Sequence, residues 1–213
     1  MLSGHSLGGR RAHQTLLKLN IAYIAGVGCA TLLILATLSL IMLEMMYPRE
    51  PVLWWIILSS LTIGIGLAVT FFYYRKSKGT ELWIPRRLAT TLASRTKKTS
   101  HSAEAFGLGA TSVVSELVFA IAPMAVAALY MVRLNAHEQW ISLGAYILIT
   151  LLPLLIITGM VGAGHKISTI QRWRERNKHF LQYTAGSGLI ILGLYVLITE
   201  VVSALALEGA TIL

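Results

Sequence analysis

The sequence predicts an all-α polytopic membrane protein with five transmembrane helices, and three observations predict it. Of the 213 residues, 55% are hydrophobic and only 13% are charged, whereas a soluble protein has about 25% charged residues. Five apolar runs each exceed the roughly 18 residues that a spanning helix needs. Their apolar residues are continuous rather than alternating, which excludes transmembrane β-strands. These runs are Leu19–Leu43, Val52–Tyr74, Ala105–Val132, Trp140–Gly164 and Phe180–Thr199.

The basic residues predict the direction in which the chain crosses the membrane. Sixteen of the 18 Lys and Arg residues lie before the first run, between positions 75 and 102, or between positions 165 and 179. Only Arg49 and Arg133 lie in the alternate connections. Because Lys and Arg accumulate in cytoplasmic loops, we expect a cytoplasmic N-terminus and an external C-terminus in a bacterial-type plasma membrane. The net charge of +9 then follows topology, and we predict no nucleic-acid partner.

Aromatic and amphipathic patterns mark the expected membrane surfaces. Trp54, Trp55 and Trp140 are expected at the outer interface. In the second basic connection apolar residues recur at helical spacing, at Ile84, Leu88 and Leu92. The third basic connection has a similar pattern of apolar residues, at Ile167, Ile170 and Trp173. Two interpretations stay open for both connections: they only set the orientation, or they also bind anionic lipid or a partner.

A weak internal repeat links two pairs of runs. The pattern T-x-G-x-G-L occurs at Thr62–Leu67 and again at Thr184–Leu189, an offset of 122 residues. The segment Ala22-Tyr23-Ile24 recurs as Ala145-Tyr146-Ile147 at an offset of 123. The paired runs cross the membrane in opposite directions, so the repeat is inverted, as in many transporters.

The third run has no counterpart, because the same offset would place one before Met1. The prediction is therefore an incomplete inverted 3+3 repeat within a single transmembrane domain over residues 1–213. Residues 1–104 would form a partial first repeat with its basic cytoplasmic loop, and residues 105–213 the second three-helix repeat. Two interpretations stay open: this sequence starts late, or a helix has been lost and a partner helix or a second copy of the chain fills its place.

Several short motifs accompany this repeat. They are Arg11-x6-Lys18 before Ala22-Tyr23-Ile24-x-Gly26, Gly107-x-Gly109 leading through Ser112 to Pro123, Leu152-Pro153-Leu154, and Gly186-x-Gly188-Leu189-x-x-Leu192-Gly193. With them the chain resembles the lysine-exporter superfamily, which also includes the transmembrane thiol-disulfide reductases of cytochrome c biogenesis. The resemblance implies the inverted architecture and a membrane-transport role. The reductase branch carries a reactive cysteine beside a proline on the helix that opens each repeat. Here Ser112–Leu117 contains no cysteine, and the chain holds only Cys29.

Glu116 is the strongest candidate for a functional side chain. It is the only Asp, Glu, Lys, Arg or His within the five runs, and it lies about 16 Å along the helix from Ala105. A charged group near the bilayer centre costs roughly 2.5–3.5 kcal/mol on insertion scales. Ser112 and Pro123 share nearly the same helical face. We therefore predict that Glu116, Ser112 and Pro123 bind a substrate or an ion.

Pro123 supports this prediction by a second route. Proline lacks the N–H group that would bond to the carbonyl at Phe119, and such carbonyls coordinate cations in the broken helices of transporters. The alternative is a simple kink beside a protonated glutamic acid that is hydrogen-bonded to a serine.

The fourth and fifth runs contribute further candidates. Tyr146, Thr150 and Pro153 are predicted to face the same cavity, although a kink that serves packing alone is an equal alternative. Glu200, near the external end of the fifth run, is either an outer gate or a solvated helix end.

The leading functional hypothesis is a secondary transporter that exports a small cationic or zwitterionic solute across the bilayer. The alternatives are a non-transporting membrane scaffold or assembly factor and, less favoured because of the single cysteine, a thiol-redox conduit. The six histidines are scattered over loops, the chain contains no Asp, and it has no phosphate-binding loop or G-x-S-x-G motif. We therefore expect no enzymatic activity, no catalytic residue, no cofactor and no metal site.

Overall fold

A computed structural model describes residues 4–46, 52–72, 101–163 and 167–210. All of them are helical except residues 101, 133–135, 163 and 177. The helices are α1 Gly4–Met46, α2 Val52–Phe72, α3 Ser102–Val132, α4 Ala136–Gly162, α5 Ile167–Arg176 and α6 Lys178–Val196, followed by a π-helix, Leu197–Val202, and α7 Ser203–Ala210. The expected helix carrying Ile84, Leu88 and Leu92 lies outside the described residues.

Within the described residues, five helical stretches are long and apolar enough to cross a membrane. They are Leu17–Met45, Val52–Phe71, Ser102–Val132, Ala136–Gly162 and Lys178–Ala206. Each overlaps one predicted run, and the described residues contain no strand. For the described residues, the prediction of an all-α protein with five helices that are long and apolar enough to span a membrane is confirmed. The last stretch continues past the predicted end at Thr199, because the π-helix carries it into α7.

A three-residue turn joins α3 to α4 and fixes where Arg133 lies. The Arg133 N–H donates to the Tyr130 carbonyl at 3.2 Å, which closes the turn at the end of α3. The Asn135 N–H donates to Glu138 Oε2 at 3.3 Å. Glu138 is the third residue of α4, so this bond is one half of a capping box. The turn therefore holds the Arg133 backbone directly after the last residue of α3.

The described helices pack as two compact units. Unit 1 contains α1 up to Ile34, α3 up to Glu116, α4 from Ile141 and α5 up to Trp173. Unit 2 contains the other described residues: α1 from Leu35, α2, α3 from Leu117, α4 up to Trp140 and the chain from Arg174 onwards. In unit 2 the second half of α3 is the most continuously buried segment, with Ala122, Met124, Ala125, Val126, Ala128, Leu129 and Met131 all buried.

Glycines on α2 and α6 form the main helix–helix seam of unit 2. A Cβ atom at Gly66 would lie 2.9 Å from the Gly186 carbonyl oxygen, and one at Gly193 would lie 3.0 Å from the Ser59 carbonyl oxygen. The positions rise along α2 as they fall along α6, so the two helices are antiparallel. Without side chains at these positions the two backbones approach closely, as is common between membrane helices.

The repeated T-x-G-x-G-L pattern contributes one glycine from each copy to this seam. Gly66, the second glycine of its copy, meets Gly186, the first glycine of the other copy. Gly64 and Gly188 have no atom within 4 Å of a built Cβ. Residues two apart on a helix point to nearly opposite sides, so each copy places only one of its glycines on the seam. The seam thus uses positions that are not equivalent in the motif.

Candidate functional site

Glu116 lies halfway along α3, which has 31 residues. It is exposed on the surface of the chain and is the last residue of unit 1 on this helix. Neither Glu116 nor Phe119 is without an interaction partner in the structure. One helical turn before Glu116, Ser112 is half-buried, and Gly109 is buried. The predicted polar face of α3 therefore runs from a buried glycine to an exposed carboxyl group.

The buried end of this face is a close approach of α1 to α3. A Cβ at Gly26 would overlap the carbonyl oxygen of Phe106, and a Cβ at Gly109 would overlap that of Tyr23. The arrangement is reciprocal, because each glycine lies against the carbonyl three residues before the other. Only glycine fits at these two positions, and the two backbones are in direct contact as a result.

Beside this approach a hydrogen bond links the two helices. The Tyr23 hydroxyl donates to Ser112 Oγ at 2.9 Å. Ser112 Oγ in turn donates to the Gly109 carbonyl at 2.7 Å. The serine hydroxyl is thus used as both donor and acceptor. Tyr23 therefore belongs to the polar group of unit 1 that leads to Glu116.

Removal of the Tyr23 hydroxyl tests this link. We expect Tyr23→Phe to lower the free energy of unfolding by about 0.5–1.5 kcal/mol, the usual net value of one hydrogen bond. The measurement is reversible unfolding by a denaturing detergent in mixed micelles. Combined with Ser112→Ala, the loss should be smaller than the sum of the two single losses, since both substitutions remove the same bond.

Ser115→Ala is the matched control for this experiment. Its hydroxyl donates only to the Ser112 carbonyl of its own helix, at 2.7 Å, so we expect little change in stability. Additive losses for the Tyr23 and Ser112 substitutions would show that the two hydroxyls do not act together.

The three candidates on α4 differ in their exposure. Tyr146 is half-buried, but Thr150 and Pro153 are exposed. The Thr150 hydroxyl donates to the Tyr146 carbonyl of the same helix at 2.9 Å. A Cβ at Gly28 of α1 would lie 3.4 Å from Leu151 Cδ1, so the Leu151 side chain is turned towards α1. The binding role of Tyr146, Thr150 and Pro153 stays a prediction.

Pro123 and Glu200 belong to unit 2. Pro123 lies inside α3 and is half-buried. Glu200 lies in the π-helix, and its carboxylate accepts a hydrogen bond from Arg133 Nη1 at 2.7 Å. Of the Glu200 side chain, 16% is exposed, against 32% for Arg133. The gating role of Glu200 stays a prediction, but the residue is paired rather than simply solvated.

Two aromatic residues complete an ion-pair cluster around Glu200. The Arg133 guanidinium carbon lies 4.5 Å from the centroid of the Trp55 ring, which is cation–π geometry. The Trp55 and Tyr130 ring centroids are 5.1 Å apart at an interplanar angle of 58°. The Tyr130 hydroxyl lies close to the side chains of Thr199 and Glu200. We call Trp55, Tyr130, Arg133 and Glu200 the aromatic ion-pair cluster.

The sequence does not predict Tyr23 as the partner of Ser112, nor Trp55 and Tyr130 as neighbours of the Arg133–Glu200 ion pair. Tyr23 stands out in the sequence only as part of the repeated Ala-Tyr-Ile segment, and its spacing of three residues before Gly26 puts both on one helical face. Trp55 is expected at the outer interface, but only 2% of it is exposed. The sequence signal that points to the cluster is Arg133, one of two basic residues outside the basic connections.

The described residues contain no group of three or more His, Cys, Asp or Glu that could hold a metal ion. Cys29 is exposed and forms no disulfide. No protein-family model, no curated protein and no solved structure matches this chain.

Proposed function

We propose that this protein is a secondary transporter that exports a small cationic or zwitterionic solute, and that the Glu116 carboxyl group binds it. One observation carries the proposal: a carboxyl group lies halfway along an apolar spanning helix, one turn after a serine that is hydrogen-bonded to a neighbouring helix. A carboxylate at such a depth costs free energy in the membrane. A solute cation or a proton that binds there offsets this cost, and exchange between them couples transport to a gradient.

The polar neighbours give the carboxyl group a defined position. Ser112 is held by Tyr23 and by the Gly109 carbonyl, so the face of α3 that leads to Glu116 is tied to α1. On this proposal Tyr146 and Thr150 of α4 supply further polar groups to the solute. Pro123 and Pro153 each remove one hydrogen bond inside a spanning helix, which eases bending during alternating access.

The proposed orientation has the N-terminus in the cytoplasm and the C-terminus outside, in a bacterial-type plasma membrane. The distribution of Lys and Arg supports it. The proposed ancestry is an inverted 3+3 repeat of which this chain holds five helices. In that orientation Glu200 lies near the external end of its span, where its ion pair with Arg133 serves as an outer gate.

Carbodiimide labelling tests the binding role of Glu116 whichever solute the protein carries. A hydrophobic carbodiimide reacts with protonated carboxyl groups in apolar surroundings, because the carboxyl oxygen adds to the carbodiimide carbon. We would treat the protein in proteoliposomes, map the adduct by mass spectrometry, and repeat the reaction with L-lysine, L-arginine, putrescine or glycine betaine present. We expect an adduct on Glu116 that at least one of these probes reduces several-fold. No adduct on Glu116, or one that no probe changes, would contradict the binding role.

Transport by two matched variants provides the functional readout. Uptake of the protecting probe into inverted membrane vesicles should fall at least about a hundredfold in Glu116→Gln, because the neutral amide cannot exchange a proton for a cation. Glu104→Gln is the control, since Glu104 is an exposed carboxyl group in the first turn of the same helix. We expect its transport to be near that of the unsubstituted protein. Unchanged transport in Glu116→Gln would overturn the proposal.

A scaffold that does not transport is the second candidate, and one observation favours it. Within α4, a span of 27 residues, the only buried residue is Val161. Most of the other residues of this helix are exposed, so α4 leaves much of its surface to lipid or to a partner helix. The test is purification from native membranes in a mild detergent. If the protein is a scaffold, a second protein bound to α4 should co-purify in stoichiometric amount.

A further inference from the structure

The aromatic ion-pair cluster contains no residue of the proposed solute site and has the chemistry of a site for an organic cation. It combines the face of an aromatic ring, a second ring and a carboxylate. Proteins use these groups to recognise guanidinium and quaternary ammonium ligands. In the structure the cation is supplied by the chain itself, as the guanidinium of Arg133.

Arg133 is attached in a way that lets its side chain leave. Its backbone is held in the turn by the hydrogen bond to Tyr130, so the side chain alone has to rotate. About a third of that side chain is exposed, at 32%, and it reaches a Glu200 carboxylate that is only 16% exposed. Trp55, at 2% exposed, and Glu200 are therefore the more deeply buried members of the cluster, and Arg133 is the more exposed one.

The backbone around Glu200 provides an independent observation. Glu200 lies within a six-residue π-helix, Leu197–Val202, between two α-helical segments of the last span. π-Helical turns are rare and occur frequently at functional sites. Their hydrogen bonds join residues five apart instead of four, as in an α-helix, which changes the direction of the side chains that follow. The ion pair with Arg133 is therefore made from a segment with an unusual backbone.

We propose that Trp55, Tyr130 and Glu200 form a binding site for an organic cation of the guanidinium class, and that Arg133 occupies this site as a tethered competitor. A free guanidinium ligand has the planar shape and the paired N–H donors of the Arg133 side chain. It can therefore stack on Trp55 and bond to Glu200 once Arg133 has moved away. Binding of the ligand and release of Arg133 are the same exchange, and Glu116 takes no part in it.

The test uses methylguanidinium as the probe and Trp55 as the reporter. The full chain is reconstituted in nanodiscs with Phe at the other four tryptophans, Trp54, Trp83, Trp140 and Trp173. Its emission is titrated with methylguanidinium chloride at constant ionic strength, and methylurea is the neutral control of similar shape. We expect a saturable change in Arg133→Ala. If Arg133 fills the site nine-tenths of the time, binding in its presence is about tenfold weaker.

Each outcome of the titration either supports or overturns the proposed binding site. The proposal is supported if methylguanidinium binds saturably to Arg133→Ala and methylurea does not. The binding should also be lost when Glu200→Gln is added, and be at least several-fold weaker with Arg133 present. No saturable response, a response that survives Glu200→Gln, or equal affinity with and without Arg133 overturns it. Should Arg133→Ala not be monodisperse by size exclusion, Arg133→Gln, which keeps most of the aliphatic stem, replaces it. Repetition in a Glu116→Gln background separates this result from the solute site, since binding here should be unchanged.

Discussion

Gly186→Ala is expected to weaken the packing of α2 against α6 by about 1–3 kcal/mol, the usual cost of overpacking a close contact. The added Cβ would overlap Thr70 Oγ1 and lie 3.0 Å from the Gly66 carbonyl oxygen and 3.1 Å from the Thr70 nitrogen. Two of these three atoms are backbone atoms of the facing helix. They move only if the helices separate, and separation disturbs the whole seam.

Gly188→Ala is the matched control, two residues further along α6. No atom of another described helix lies within 4 Å of a Cβ built at Gly188, so the methyl group has open space among the described residues. Replacing glycine by alanine in an open helical position stabilises the helix by about 0.5–1 kcal/mol. The two substitutions should therefore change stability in opposite directions.

The facing helix provides the same comparison with Gly66→Ala and Gly64→Ala. A Cβ at Gly66 would lie 2.9 Å from both the Gly186 carbonyl oxygen and the Ile190 nitrogen, whereas Gly64 has open space. The measurement is the free energy of unfolding in mixed micelles for all four variants. Equal losses at Gly186 and Gly188 would show that α6 presents a different face to α2.

This seam shows what the sequence can and cannot predict about packing. The length of each apolar run predicts a span, because the bilayer sets a minimum length that no partner helix changes. The two copies of T-x-G-x-G-L supply small residues of the kind that allow close helix contact. They do not predict which glycine makes it, since Gly64 and Gly66 lie on opposite faces and the partner decides which face is used.

Of the candidate functional residues, too, the sequence predicts some and cannot predict others. Glu116 is found from sequence because a lone carboxyl group in an apolar run is visible without any tertiary information. Its connection to Tyr23 depends on the point where α1 meets α3, and no local pattern contains that point. The aromatic ion-pair cluster joins residues from three separate parts of the chain. The sequence predicts an end of the last span at Thr199, because the ionisable Glu200 interrupts the apolar run, but the helix in fact continues to Ala206.

Gln182→Met is expected to cost about 1–3 kcal/mol, the penalty for leaving buried polar groups without partners. Only 6% of Gln182 is exposed. Its Nε2 group donates to the Val69 carbonyl at 2.9 Å and to the Thr70 carbonyl at 2.8 Å. Both carbonyls belong to the last turn of α2, where a helix needs hydrogen-bond donors from outside. One side chain of α6 therefore caps the end of α2.

Methionine makes this test specific for the donor, because it keeps the length of the glutamine side chain and removes both N–H groups. The apolar packing is nearly conserved, so the loss of stability measures the cap. Gln139→Met is the matched control. Its Nε2 group also donates to a backbone carbonyl, that of Leu134 at 3.0 Å, but in an exposed position, where water replaces the lost donor. We expect its free energy of unfolding to change by less than about 0.5 kcal/mol. A loss for Gln182→Met as small as this would show that the end of α2 is satisfied without Gln182.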